Sequence, residues 1–310
     1  MSDRFDFLEI GDAVPAVKPP PLSTEEEGVP PLPEAGWRAQ RLKAVEIIGE
    51  MGTGVGEFNA PTGIAVDLHG SLYVADSNNH RIQRIMPTGD VFVFGSKPGN
   101  ANGEMWGPMD VAIDPDGQSV FVAEQGNQRI QCFRYTGQYV GVMGGFSRPS
   151  GVAFDPEGML WIADSGNQRV LRLNTKTGQF IGGMDKNAGL HRPTSLACDA
   201  FGNVHITDSV LMNVLRYSYS GKRLGGIADN RKLRNPGQIA VDGFGRIYIA
   251  ETDADRLHVF DLRANSIATF DRLSTKQGNL SRPYGVALSS NGDIYVSDTG
   301  NHRVVRLAWE

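Results

Sequence analysis

The strongest constraint on this chain is that it repeats itself. "APTGIAVDLHGSLYVADSNNHRIQRI" (Ala60–Ile85) and "RPYGVALSSNGDIYVSDTGNHRVVRL" (Arg282–Leu307) follow one order of small, apolar, turn and charged residues. Each unit opens on Pro, passes through an apolar–Ala–apolar triplet, turns at Gly, and continues as an apolar triplet closed by an acid. The six copies begin at Pro61, Pro108, Pro149, Pro193, Pro236 and Pro283, spaced by 47, 41, 44, 43 and 47 residues. A period in the forties with several short strands per unit marks a solenoid, an array or a propeller.

Within the first copy, Gly63–Asp67 reads as a strand and Asp67–Gly70 as a type I turn, with Asp first and Gly fourth. "LYVAD", "RIQRI" and "VFVFG" supply three more strands. Four antiparallel strands per unit, six units and no helical period predict an all-β, six-bladed propeller over residues 41–310. The last copy stops at Glu310 after its third strand, while Lys43–Gly52 matches the fourth-strand pattern. The ring is therefore expected to close by an amino-terminal strand completing the last blade, which removes an exposed edge. The alanine shared by all copies (Ala65 in the first) lies on the innermost strand, where its small methyl group is expected to let neighbouring blades approach. The aromatic column Tyr73, Phe121, Trp161, Tyr248 and Tyr295, with His205 in the fourth copy, is expected to pack between blades.

"ADSNNHRIQRI", "AEQGNQRIQCF", "ADSGNQRVLRL" and "SDTGNHRVVRL" resemble NHL repeats, and the resemblance runs from about Lys43 to Glu310. It implies a six-bladed propeller and a family whose members bind proteins or RNA, act as sensor ectodomains, or are lyases. The peptidyl-amidoglycolate lyases of this fold carry zinc-ligating His directly after the opening Pro in three blades. Here those positions hold Thr62, Met109, Ser150, Thr194, Gly237 and Tyr284, so that zinc set is missing. The six histidines are scattered singly, and no Ser or Cys has a nucleophile's context. No catalysis, metal or cofactor is expected.

The acids that close the second strands (Asp76, Glu124, Asp164, Asp208, Glu251, Asp298) would ring one face. Five have an Arg five residues on, which predicts structural ion pairs rather than a cation site. Asp208 is the exception, followed by Val210, Leu211 and Met212, an apolar loop of the kind that marks a partner contact. The loops that enter the blades carry Arg148, His191, Arg192, Arg231, Lys232, Arg234, Lys276 and Arg282, which should gather at one mouth as an anion-attracting face.

Residues 1–40 hold eight acids and three bases, leaving 27 of each sign beyond them. A neutral body argues against a nucleic-acid partner. No run of about 18 apolar residues exists, so no membrane insertion is expected. With two cysteines and an acidic start, "MSDRFDFLEIGD", a reducing cytoplasmic setting is expected. Ala13–Gly36 is Pro- and Glu-rich, predicting an extended tail over 1–40. Phe5, Phe7, Leu8, Ile10 and Trp37 are its apolar anchors for another protein. The expected function is a non-catalytic interaction module within a larger assembly, docking through its tail and loop face. The alternative is a small-molecule lyase or hydrolase at the channel mouth.

Overall fold

A computed structural model describes residues 41–95, 97–227, 233–274 and 277–310. The tail anchors Phe5, Phe7, Leu8, Ile10 and Trp37 lie outside the described residues, as do Arg231, Lys232 and Lys276. Six four-stranded antiparallel sheets form the ring, and the described residues include no α-helix. Blade one is typical, with strands Pro61–Val66, Leu72–Asp76, Arg81–Ile85 and Val91–Phe94 running from the axis outward. Proline can open the innermost strand because its missing N–H falls at the strand's first residue.

Blade six is built from both ends of the described chain. Its inner strands are Val286–Leu288, Ile294–Asp298 and Arg303–Trp309, and Leu42–Ile48 forms the fourth. Leu42 pairs with Trp309 and Ile48 with Val304, with a register shift between Ala44 and Glu46. The Glu310 N–H donates to the Arg41 carbonyl at 2.9 Å. Closure by the amino-terminal strand is thus as the repeat pattern indicates.

The core is divided among the seams. Each of six apolar clusters spans two neighbouring blades, and the repeated alanines sit in these clusters (Ala112, Ala197 and Ala287 buried, the others partly so). These methyl groups lie on the innermost strands where neighbouring blades meet. Nearer the axis, close approach is made by glycine. A Cβ on Gly285 would lie 2.2 Å from the Thr62 carbonyl oxygen, and one on Gly63 would lie 2.6 Å from that of Met109.

The aromatic column packs between blades and also satisfies its polar tips. Tyr73 donates to Asp67 at 3.4 Å, Trp161 to Asp155 at 3.0 Å and Tyr248 to Asp242 at 3.0 Å. Each acceptor is the aspartate that opens the preceding turn. His205 occupies the slot in blade four, fully buried, with Nε2 3.2 Å from Asp199. Burial lowers its pKa, opposed in part by the Asp199 hydrogen bond. The folded state then refuses a proton that the unfolded chain takes up below about pH 6.5, so stability is present above that pH and lost as pH falls. His205→Phe should remove this dependence while keeping the ring packing. The wild type should lose up to about 1.4 kcal/mol per pH unit against the variant below pH 6.5. Melting curves at pH 7.5 and 5.5 check it, and parallel losses in the two proteins would contradict it.

Candidate functional site

Five of the six acids at the second-strand ends are committed to structure. Arg81 meets Asp76 at 2.7 Å, Arg129 meets Glu124 at 2.8 Å, and Arg169 meets Asp164 at 2.7 Å. Arg256 meets Glu251 and Arg303 meets Asp298, both at 2.7 Å. Four of these carboxylates take the side-chain amide of the following Asn (Asn79, Asn127, Asn167, Asn301), Glu251 meets His258 instead, and all five accept a backbone N–H of the loop entering the blade. Arg81 and Arg129 extend the lock by donating to carbonyls of those loops. The hydroxyl after the acid reaches the next blade, as Ser77 does to Pro108 at 2.5 Å and Thr299 to Pro61 at 2.6 Å. The motif ties second strand, corner, entry loop and neighbour together, and all six acids are fully buried.

Asp208 lacks an arginine yet is not left unpaired. Its carboxylate accepts the backbone N–H groups of His191 (2.8 Å), Arg192 (2.9 Å), Val210 (3.1 Å) and Leu211 (3.1 Å). Four amides replace one guanidinium, and they bring the loop carrying Arg192 beside the loop carrying Val210. The apolar loop itself divides. Val210 is 57% exposed and Met212 40%, whereas Leu211 is half-buried against the seam cluster of blades three and four. Leu211 thus packs against the seam while its two neighbours face outward.

Arg148, Arg192, Arg234 and Arg282 stand on the same face, within two residues of the prolines that open the inner strands of blades three to six. All four are exposed, and among the described residues none of their guanidinium groups forms an ion pair. Arg148 and Arg282 are held at φ of 53° and 47°, a left-handed conformation unusual for a residue before proline. Ala60 and Asn235 share it at φ of 52° and 49°, so it belongs to the strand entry rather than to arginine.

Behind this mouth the axis is closed. The position two residues after the opening Pro reads Gly63, Asp110, Gly151, Ser195, Gln238 and Gly285. Gln238 crosses the ring, accepting from Ile64 (3.1 Å) and Val286 (2.9 Å) and donating to the Ile64 carbonyl (3.0 Å) and Asp110 (3.0 Å). Asp110 also takes the Val152 N–H at 3.0 Å, tying blade two to blade three. Burial pushes the Asp110 carboxyl up to about 7, against the pull of the Val152 and Val111 N–H groups. The Tyr284 phenol at the mouth is raised by burial and by Asp110, and lowered by Arg192.

This architecture is a six-bladed propeller, and three of its blades carry NHL repeats. The NHL repeat model matches residues 58–85, 146–173 and 280–307, in blades one, three and six. Protein brain tumor of Drosophila melanogaster is 32% identical over 127 residues, covering 40% of this chain and 12% of that protein. Mouse peptidyl-glycine alpha-amidating monooxygenase is 27% identical over 175 residues, covering 51% of this chain and 18% of the relative. The chain therefore spans less than a fifth of the length of these two relatives. Among solved structures, a protein of unknown function from Bacteroides thetaiotaomicron superposes with a TM-score of 0.68 at 17% identity, over 88% of this chain and 76% of its own. That likeness shows the fold alone. NHL propellers support a binding or interaction role in general, and an enzyme stands among the relatives, so fold does not choose between them. No helix among the described residues is long and apolar enough to cross a membrane.

Proposed function

We propose that this chain is a non-catalytic binding module of a larger cytoplasmic assembly, gripping an acidic segment of a partner protein at its arginine-lined mouth. One contrast carries the proposal. The framework arginines Arg81, Arg129, Arg169, Arg256 and Arg303 are paired with buried acids, whereas Arg148, Arg192, Arg234 and Arg282 are exposed at one face and have no ion-pair partner among the described residues. A planar guanidinium fork suits a carboxylate. Exposed Val210 and Met212 stand beside Arg192, which favours a peptide that offers both acids and apolar side chains over a bare phosphate backbone. The tail anchors Phe5, Phe7, Leu8 and Ile10 would then hold a second subunit from the opposite face.

The absence of a zinc set after the opening prolines supports a non-catalytic role. Turnover by the purified protein of an ester or lyase substrate, abolished by chelation, would overturn that half of the proposal. For the other half, a labelled peptide alternating Glu and Leu should bind the full chain. Arg148→Glu with Arg192→Glu should weaken it by at least about tenfold, or about 1.4 kcal/mol, without lowering the melting temperature. Equal affinity in the double variant, or preferential binding of a single-stranded RNA of the same length, would contradict it.

A further inference from the structure

The seam between blades six and one is filled differently from the others. In five blades the residue leading the second strand is at most 2% exposed: Tyr73, Phe121, Trp161, His205 and Tyr248. Tyr295 of blade six is only half-buried. Across the seam, the fifth residue of the third strand is at most 5% exposed in Phe133, Leu173, Tyr217, Phe260 and Leu307. Its counterpart in blade one, Ile85, is again half-buried. At the seam of blades one and two, Arg84 lies 5.5 Å from both the Tyr73 and Tyr135 rings and donates to the Tyr135 carbonyl at 3.3 Å. At the seam of blades six and one, the position of Tyr135 is taken by exposed Pro87. Arg306, the counterpart of Arg84, turns to Glu46 (2.9 Å) and Asp293 (3.3 Å) instead. What remains is a cleft of about 470 Å³ between Tyr295, Ile85, Pro87 and Leu68, with Leu68 71% exposed.

The neighbouring seam shows what such a space accepts. There Trp309 stands edge-on to Tyr248, centroids 6.3 Å apart, and its indole N–H donates to the Tyr248 hydroxyl at 3.1 Å. We propose that Trp37 does the same at the open seam, filling the cleft and resting on Tyr295. The cleft opens among the turns of blades one and six, the face on which the strand Leu42–Ile48 begins. Trp37 is four residues before Arg41, so it reaches about 14 Å from it. Tyr295 pairs with Arg306 and so stands level with Glu46, about 16 Å along the strand from Arg41 and about 10 Å across the sheet, a span that takes an extended backbone and the length of the indole side chain together. The rim of Glu46, Asp293 and Arg306 suits a ring with one polar edge. Phe5, Phe7, Leu8 and Ile10 stand beyond the Pro- and Glu-rich spacer, so their loop closure is less favourable than that of Trp37. This assignment is independent of the loop-face proposal and fixes only the root of the tail.

Fluorine NMR of the full chain labelled with 5-fluorotryptophan tests it. The chain has four tryptophans, and Trp37→Phe identifies the relevant signal. The Trp37 signal should be shielded from solvent at every protein concentration. It should move when Leu68→Glu and Pro87→Glu are introduced, while the Trp161 and Trp309 signals stay in place. A solvent-exposed Trp37, shielding that grows with concentration (a second copy in the cleft), or a shielded signal indifferent to the seam substitutions would each overturn the proposal. Should the double substitution disturb Trp161 and Trp309, a cysteine introduced by His69→Cys gives a second readout. Its maleimide labelling should be about tenfold faster after Trp37→Ala, and equal rates would overturn the assignment.

Discussion

Removal of residues 1–52 should abolish the single cooperative unfolding transition, whereas removal of residues 1–40 should preserve it. The longer deletion takes away Leu42–Ile48, the outer strand of blade six, together with all its pairing to Arg303–Trp309. It leaves that third strand as an unpaired edge, with the partly buried Leu42, Ala44 and Ile48 gone from the clusters on either side. A ring depends on every seam, so one missing strand weakens two. The shorter deletion removes no described strand, so its transition should stay sharp. Calorimetry of both shortened chains decides the matter. Equal and sharp transitions would show that the strand is dispensable.

Asp164→Ala should be the most damaging single change in the framework. The carboxylate is fully buried and accepts from Ser147 N (2.7 Å), Asn167 Nδ2 (2.8 Å) and Arg169 Nε (2.7 Å). Truncation strands the Arg169 guanidinium, itself only 6% exposed. Removing one partner of such a pair costs about 3–5 kcal/mol. Adding Arg169→Met should recover part of that loss, because the stranded charge, rather than the missing attraction, dominates. Chemical denaturation of the single and double variants measures both effects. A loss below about 1 kcal/mol in the single variant would place the pair among surface ion pairs.

The ring was legible because its signals are columnar. Six opening prolines, the turn glycines and the Asp/Glu-to-Arg spacing each recur at fixed offsets, and each offset has a single structural meaning. What escaped the sequence are departures within a column. Gln238 and Asp110 stand where the other copies have Gly or Ser, and only the convergence of six strands makes them meet across the axis. The signal was present as two long polar side chains in a column of small residues. Asp208 looked unpaired because backbone amides leave no trace in a sequence. The division of the apolar loop, with Leu211 against the seam and Val210 and Met212 outward, was not legible because a corner turns successive side chains to opposite sides. The open seam was invisible for the same reason: Pro87 and Ile85 are ordinary residues until their counterparts are seen at the neighbouring seam, Phe133 buried in the cluster and Tyr135 against Arg84.

The most direct test of the account is the hydrogen-exchange footprint of the acidic, apolar peptide on the full chain. Slow local opening of the entry loops should be suppressed where the peptide sits. Protection should therefore fall on the segments around Arg148, Arg192, Val210 and Arg282, and be absent from the turns around Leu68, Phe201 and Phe244 on the opposite face. Protection confined to that turn face, or spread evenly around the ring, would contradict a binding mouth built from the unpaired arginines.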